Sequence, residues 1–341
     1  MSPRKIFITG TAGFIGFHLA RRLLDDGARV HGYDGFSDYY DLSLKRDRHA
    51  ILSAEAGFSF TEGLLEDAEV LHAVAKTFSP DIIVHLAAQA GVQYSLQNPD
   101  AYMRSNVLGG YNVLETARRL RPRHLLMAST SSVYGASEDL PYSENQKTDR
   151  PLTLYAATKM SNEAMAHAYA HLWGVPTTLF RLFTVYGPWG RPDMAYFKFA
   201  EAMTEGRPIQ VYNHGRMHRD FTYVADVAEA LMRLITTIPP GPGETRRTVA
   251  GDSLSPVAPF RVVNVGNSDK VRLLDFIDAI EASLGVTAQR VMVQHQAGDV
   301  PATHSDSTLL RDLTGFTPQT DYRDGIARFA DWFRDYKARQ A

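Results

Sequence analysis

The chain has 341 residues, 44% hydrophobic and 22% charged, with a formal net charge of -2 at pH 7. That balance removes any electrostatic argument for a nucleic-acid or membrane partner, and the absence of cysteine excludes disulfides, thiolate catalysis and thiolate metal sites. The length exceeds what one core usually organises, so two lobes are expected.

The first apolar run, Ile6-Phe7-Ile8, is too short for a signal segment or a membrane span, and the cytoplasm is the expected compartment. Lys5 to Thr9 reads as a short buried strand. Gly10-Thr-Ala-Gly13-Phe14-Ile15-Gly16 follows, then a helical pattern from Phe17 to Asp26 and a second strand, Val30 to Tyr33, ending in Asp34. This is a βαβ unit whose glycine-rich turn lets backbone amides approach a pyrophosphate at the positive end of a helix. Asp34 stands near the spacing at which an acidic residue meets the adenosine ribose hydroxyls. It would repel a 2′-phosphate, so the expected cofactor is NAD.

Phe58 to Thr61 is a third strand and Asp81 to Leu86 a fourth, running into Ala87-Ala88-Gln89, small residues that admit a ligand close to the backbone. Asn98-Pro99 starts a predicted helix that runs to Arg119 with Asn106 inside it. His124 to Ala128 is a fifth strand, ending in the hydroxyl-rich run Ser129-Thr130-Ser131-Ser132. Open α/β sheets bind ligands at such carboxyl ends. Helix 153–173 carries Tyr155 and Lys159, one turn apart on one face. A nearby ammonium favours phenolate, so this spacing predicts a tyrosine of lowered pKa acting as a base. A lone pair of this kind is more often a surface tyrosine and lysine; the glycine turn and the hydroxyl cluster reverse that preference.

Pro176 to Phe183 is a sixth strand, and the β/α alternation to this point predicts a doubly wound parallel sheet. After Thr184 the regularity is expected to stop. Arg191 and Arg219 are the best candidates for clamping a diphosphate, because arginine presents a planar, always-charged fork. The Pro- and Gly-containing stretch 237–260 reads as an exposed loop, because a strand, Arg261 to Val265, returns after it. Leu273 to Leu284 is an amphipathic helix. The expected division places 1–185 in a dinucleotide-binding domain, with 224–236 and 261–268 returning to it, and 186–223 with 269–330 in a smaller substrate domain. No spacing of His or carboxylates suggests a metal.

Taken together, these stretches resemble the extended short-chain dehydrogenase/reductases of the NAD-dependent epimerase/dehydratase family. Within it the chain is most similar to the UDP-glucuronate 4-epimerases. The resemblance rests on Asp38-Tyr-Tyr-Asp41 with Leu44-Lys45, Ser129 to Gly135, Leu154 to Lys159, Phe183 to Met194, Arg219 to Tyr223 and Gly298 to Pro301. It implies a Rossmann-type α/β fold with a smaller α/β substrate-binding domain. It implies Tyr155 as base, Lys159 lowering its pKa and holding the nicotinamide ribose, and Thr130 bonded to the reacting hydroxyl. Gly10, Gly13, Phe14, Ile15, Gly16, Asp34, Leu65, Leu86, Ala87, Ala88, Gln89 and Asn106 fall at cofactor positions. Arg191, Arg219 and Asp299 fall at diphosphate-nucleotide positions, with Met194, Val211, Tyr212 and Gln296 also on the substrate, and Ser131, Ser132 and Thr184 around a sugar carboxylate.

The chain departs from relatives at Gly63-Leu64, where they carry glycine-aspartate facing the adenine; Glu66 or Asp67 would compensate only if the loop were reset. Dehydratases of the group carry Asp and Glu where Ser131 and Ser132 stand, and decarboxylases carry Glu at the latter. UDP-glucose/galactose epimerases, the alternative reading, typically carry Asn at the position of Thr184 and Arg at that of Gln296. An NAD-binding module without turnover is a further alternative, which would lack Tyr155 or Lys159. Relatives pair the helices matching 98–119 and 153–173, so the resemblance also implies a homodimer.

Overall fold

The computed structural model describes residues 4–244, 249–296 and 298–340. Seven parallel strands form the central sheet. They are β1 (Lys5–Thr9), β2 (Arg29–Asp34), β3 (Phe58–Glu62), β4 (Ile82–His85), β5 (His124–Thr130), β6 (Thr177–Leu182) and β7 (Phe260–Val265), in spatial order β7-β6-β5-β4-β1-β2-β3. The order reverses between β1 and β4, the switch point where such sheets open a crevice at their carboxyl ends.

Because strand side chains alternate between faces, each strand feeds two cores. Ile6 and Ile8 face helices Phe14–Asp25 and Val224–Thr236, while Phe7 and Leu125 face helices Ala68–Phe78, Gly109–Leu120 and Leu154–Trp173. Both faces are covered at the centre of the sheet, where β1 and β4 read as nearly continuous apolar runs, whereas the edge strand β3 is only partly buried.

A third core, rich in aromatic rings, lies among helices Ala195–Thr204, Leu273–Leu284 and Tyr322–Gln340. Tyr186, Tyr196, Phe221, Phe276 and Phe329 meet there, with Phe221 and Phe276 stacked at a centroid distance of 3.6 Å. The regularity expected to end after Thr184 therefore continues, as short strands and these helices. The last helix was not anticipated. Its apolar positions Tyr322, Ile326, Phe329, Phe333 and Tyr336 do recur with helical period, but lie among many charges.

Three other expectations need correction. The first helix starts at Phe14, not Phe17, with Gly13 at its N-cap, so Gly16 lies inside the first turn. The helix expected over 98–119 is interrupted by a wider π turn, Met103–Leu108, placed around Asn106. Segment 237–260, apart from 245–248, which lie outside the described residues, is not simply exposed. Pro239, Pro240 and Ala258 are buried, and Asp252 forms an ion pair of 2.8 Å with Arg261, both almost wholly out of solvent. Breaking such a pair leaves a buried charge uncompensated, which costs about 3–5 kcal/mol.

Candidate active site

The carboxyl ends of β1, β2, β4, β5 and β6 open into a cavity of about 910 Å³. Its dinucleotide end is shaped by glycine. Gly10 has φ +86°, and a Cβ there would lie 2.7 Å from the Ala87 amide nitrogen; a Cβ on Gly16 would lie 2.0 Å from the Gly10 carbonyl oxygen. The loop is thus packed as a bare backbone cradle, with Gly13, Phe14 and Ile15 also on the cavity wall.

Asp34 closes β2 beside it. One carboxylate oxygen accepts from the Ala12 amide at 3.0 Å, the other from the Phe36 amide at 3.0 Å. Burial pushes its pKa up, opposed by those amides and by the Lys45 and Arg48 cations. A carboxylate fixed next to a backbone-lined cradle suits a dinucleotide whose ribose hydroxyls donate to it. Leu65, Leu86, Ala87, Ala88 and Gln89 complete this wall. Asn106 does not line it. Its amide bonds both the nitrogen and the oxygen of Gln89, at 2.8 and 3.0 Å, and so holds the wall from behind.

Leu64 does reach the cavity and is half exposed there. Asp67 cannot replace the missing acid, because its carboxylate caps helix Ala68–Phe78 through the Val70 amide; Glu66 does line the cavity.

Helix Leu154–Trp173 begins at the cavity, capped by the Thr153 hydroxyl, which accepts from the Ala156 amide at 3.2 Å. This start brings Tyr155 and Lys159 to the mouth of β5 with Thr130 opposite, and all three line the cavity. The expected direction of the Tyr155 pKa needs correcting. Burial pushes it up, opposed by a hydrogen bond to Thr130 and by the Arg191 cation. The Lys159 ammonium turns instead to the Ala128 carbonyl at 3.0 Å, and burial brings its pKa down to about 8, opposed by Glu163. A helical spacing sets which side chains share a face, not where a flexible ammonium points. Glu163, which the sequence reading missed, receives the Ser129 hydroxyl at 2.5 Å and is paired with Arg181 at 2.7 Å.

At the other end Ser131, Ser132 and Thr184 line both the main cavity and an annex of about 160 Å³ that includes Arg219 and Asp299. Arg191, Met194, Gln296 and Asp299 also line the main cavity. Both candidate arginines already face a carboxylate, Arg191 on Asp193 and Arg219 on Asp299, each at 2.5 Å. Val211 and Tyr212 are outside the lining: Val211 is wholly buried in the aromatic-rich core, and the Tyr212 hydroxyl donates to Gln210. Among the described residues no group of three His, Asp or Glu is placed to hold a metal. No helix among them is long and apolar enough to cross a membrane.

The model of the NAD dependent epimerase/dehydratase family matches residues 6–246. A probable UDP-glucuronate 4-epimerase of Rhizobium meliloti (strain 1021) is 52% identical over 329 residues, covering 96% of each chain. UDP-glucuronic acid 4-epimerase from Bacillus cereus, solved with UDP-glucuronic acid and NAD, has a TM-score of 0.86 at 28% identity, covering 97% of this chain and 99% of that one. UDP-glucose 4-epimerase from Thermotoga maritima, solved with UDP-glucose, has a TM-score of 0.82 at 25% identity, covering 98% and 99%.

Proposed function

The chain belongs to the NAD dependent epimerase/dehydratase family, and from that membership we propose that it inverts C4 of UDP-glucuronate to give UDP-galacturonate through a transient 4-keto sugar. The observation that carries this reading is one cavity holding Tyr155, Lys159 and Thr130 together with the uncharged hydroxyls of Ser131, Ser132 and Thr184. No acid stands at 131 or 132 to drive elimination.

In this reading 1–185, with 224–236 and 261–268, forms the NAD-binding domain, and 186–223 with 269–330 binds the nucleotide sugar. The cradle of Gly10, Gly13 and Gly16, with Asp34, holds NAD. Bound NAD supplies reversible hydride acceptance at C4. Tyr155 accepts the proton of the C4 hydroxyl, which Thr130 orients, and returns it once the sugar has presented its other face. The Thr130 hydrogen bond and the Arg191 cation offset part of the burial that holds the phenol up. Lys159, cationic below about 8, carries positive charge one helical turn away. Arg191 and Arg219 exchange their carboxylate partners for the diphosphate, the fixed anchor about which the sugar swings.

Oxidation at C4 makes the sugar carboxylate β to a ketone and prone to leave as carbon dioxide. Loss is fast only when the breaking bond stands perpendicular to the carbonyl plane, and hydroxyls gripping the carboxylate in another orientation suppress it. Ser131→Ala or Thr184→Val is therefore expected to raise carbon dioxide and UDP-pentose in the product mixture. Unchanged product ratios in both variants would refute the gripping role.

The reading also makes the protein a cytoplasmic homodimer. Met103, Leu108, Tyr111, Leu172 and Trp173 are exposed on the stretch 98–119 and on helix Leu154–Trp173, an outer apolar surface that a second copy would cover. Light scattering should return twice the 38.0 kDa chain mass; the single-chain mass would end the dimer proposal.

The function is tested by incubating the purified protein with UDP-glucuronate, without added NAD, and separating the products. UDP-galacturonate appearing supports both the reaction and a retained cofactor. Activity only after NAD is added would show weak retention, the outcome expected if Leu64 fails to hold the adenine. Inactivity on UDP-glucuronate with turnover of UDP-glucose would replace this reading with a UDP-glucose/UDP-galactose epimerase.

A further inference from the structure

Arg48 has no solvent exposure and stands among the largest buried side chains of the chain. It lies on helix Leu42–Ser53. Buried guanidinium groups ordinarily face a carboxylate, as Arg181 and Arg261 do here. Arg48 does not. Its five N–H groups go to neutral oxygens: Nε and one terminal nitrogen to Trp189 O at 3.1 and 2.6 Å, that nitrogen also to Gly190 O at 3.0 Å, and the other to Ala12 O and the Tyr40 hydroxyl, both at 2.9 Å.

Four of these five bonds run to two loops, the glycine turn and the turn before Arg191, which lie at the proposed cofactor and substrate ends of the cavity. Ala12 sits in the glycine turn, and its peptide is held at both ends, by Asp34 at the nitrogen and by Arg48 at the oxygen. Trp189 and Gly190 immediately precede Arg191. Their turn has φ +140° at Gly187 and +59° at Trp189, a conformation that a tryptophan holds only when its surroundings impose it. Arg48 imposes it with three bonds, and His18 adds a fourth from Nε2 to Pro188 O at 2.9 Å. Burial brings the His18 pKa down to about 4, so the ring is neutral, and a carbonyl partner makes Nε2 the donor.

We infer that Arg48 is a positioning residue joining the dinucleotide loop to the Arg191 arm, so that occupancy of either site tightens the other. A ligand that orders one loop has then already ordered part of the second, and the second ligand binds more tightly for that reason. The effect must be equal in both directions. The inference rests on the proposed assignment of NAD and a uridine diphosphate to these two sites.

The test measures, by titration calorimetry on the full-length protein stripped of NAD, UDP affinity with and without saturating NAD, and NAD affinity with and without UDP. In the wild type each nucleotide is expected to tighten the other by about 5-fold or more. In Arg48→Lys, whose single ammonium keeps the charge but cannot span both loops, that ratio should fall to near one. A strut that merely stabilised the fold would weaken binding without changing the ratio. A wild-type ratio of one, or an unchanged ratio in Arg48→Lys, overturns the inference. If the variant fails to fold, hydrogen exchange on the wild type decides. NAD alone should slow the amides of 189–191, and UDP alone those of 10–14; absence of this crossed protection overturns it. Failure of either nucleotide to bind the wild type at all would instead remove the epimerase reading, and this inference with it.

Discussion

Tyr155→Phe is expected to lower turnover of UDP-glucuronate by about 10²- to 10⁴-fold, the usual contribution of a positioned acid–base group, while NAD content and UDP affinity stay near wild type. The substitution removes one oxygen from a ring that is almost wholly buried and meets Tyr102 edge to face at 6.1 Å. The ring volume and this contact survive, so the fold has little reason to respond. What disappears is the hydroxyl that interacts with Thr130; the neighbouring phenol, Tyr102, already donates to the Gly91 carbonyl. Glu163 is occupied by Ser129 and Arg181, and Lys159 is bonded to the Ala128 carbonyl. Steady-state kinetics, with NAD measured by absorbance after denaturation, separates the two consequences. Turnover within tenfold of wild type would remove Tyr155 from the chemistry. Loss of NAD together with activity would mean that the residue holds the cofactor instead.

How much of this site was legible in the sequence depends on how local its cause is. The glycine turn, the helix after it and the Tyr155–Lys159 pair are set by neighbours within a few positions, and the structure places them at the cavity. The seven-strand sheet follows from alternation that can be counted along the chain. Arg48 was illegible because its partners, Trp189 and Gly190, are 141 and 142 positions away. A charged residue three places after Lys45 on a helix reads as solvent-facing, and only the fold turns that face inward. Val211, whose side chain lies in the aromatic-rich core and not on the cavity wall, owes its place to packing that no local pattern reveals. The direction of the Tyr155 pKa was misread for a related reason. Spacing reports a nearby cation but not the depth of burial, and here burial outweighs every cation that the fold places around the phenol.

Gly16→Ala is expected to strip the protein of NAD and lower its melting temperature, against the ordinary rule for a glycine inside a helix. Alanine in a helix interior is favoured over glycine by about 0.8–1.0 kcal/mol, and Gly16 has no positive φ to forbid a side chain. The obstacle is space. The added carbon would stand 2.0 Å from the Gly10 carbonyl oxygen, 2.7 Å from its carbon and 3.1 Å from the Thr11 Cα. All three are backbone atoms, so no rotamer change relieves the overlap. Overpacking that forces backbone shifts costs about 1–3 kcal/mol, and an overlap this deep belongs at the upper end, enough to reverse the propensity gain. The shift must also move Gly10, whose backbone packs closely against Ala87, and so disturb the cradle. Gly13→Ala supplies the comparison, because its added carbon would meet the same oxygen at 3.0 Å, and a displacement of a few tenths of an ångström suffices there. Thermal unfolding and NAD content should therefore rank wild type, Gly13→Ala and Gly16→Ala in that order. A Gly16→Ala protein that melts at or above wild type with full NAD would show that the turn holds its cofactor without the close contact between helix and loop.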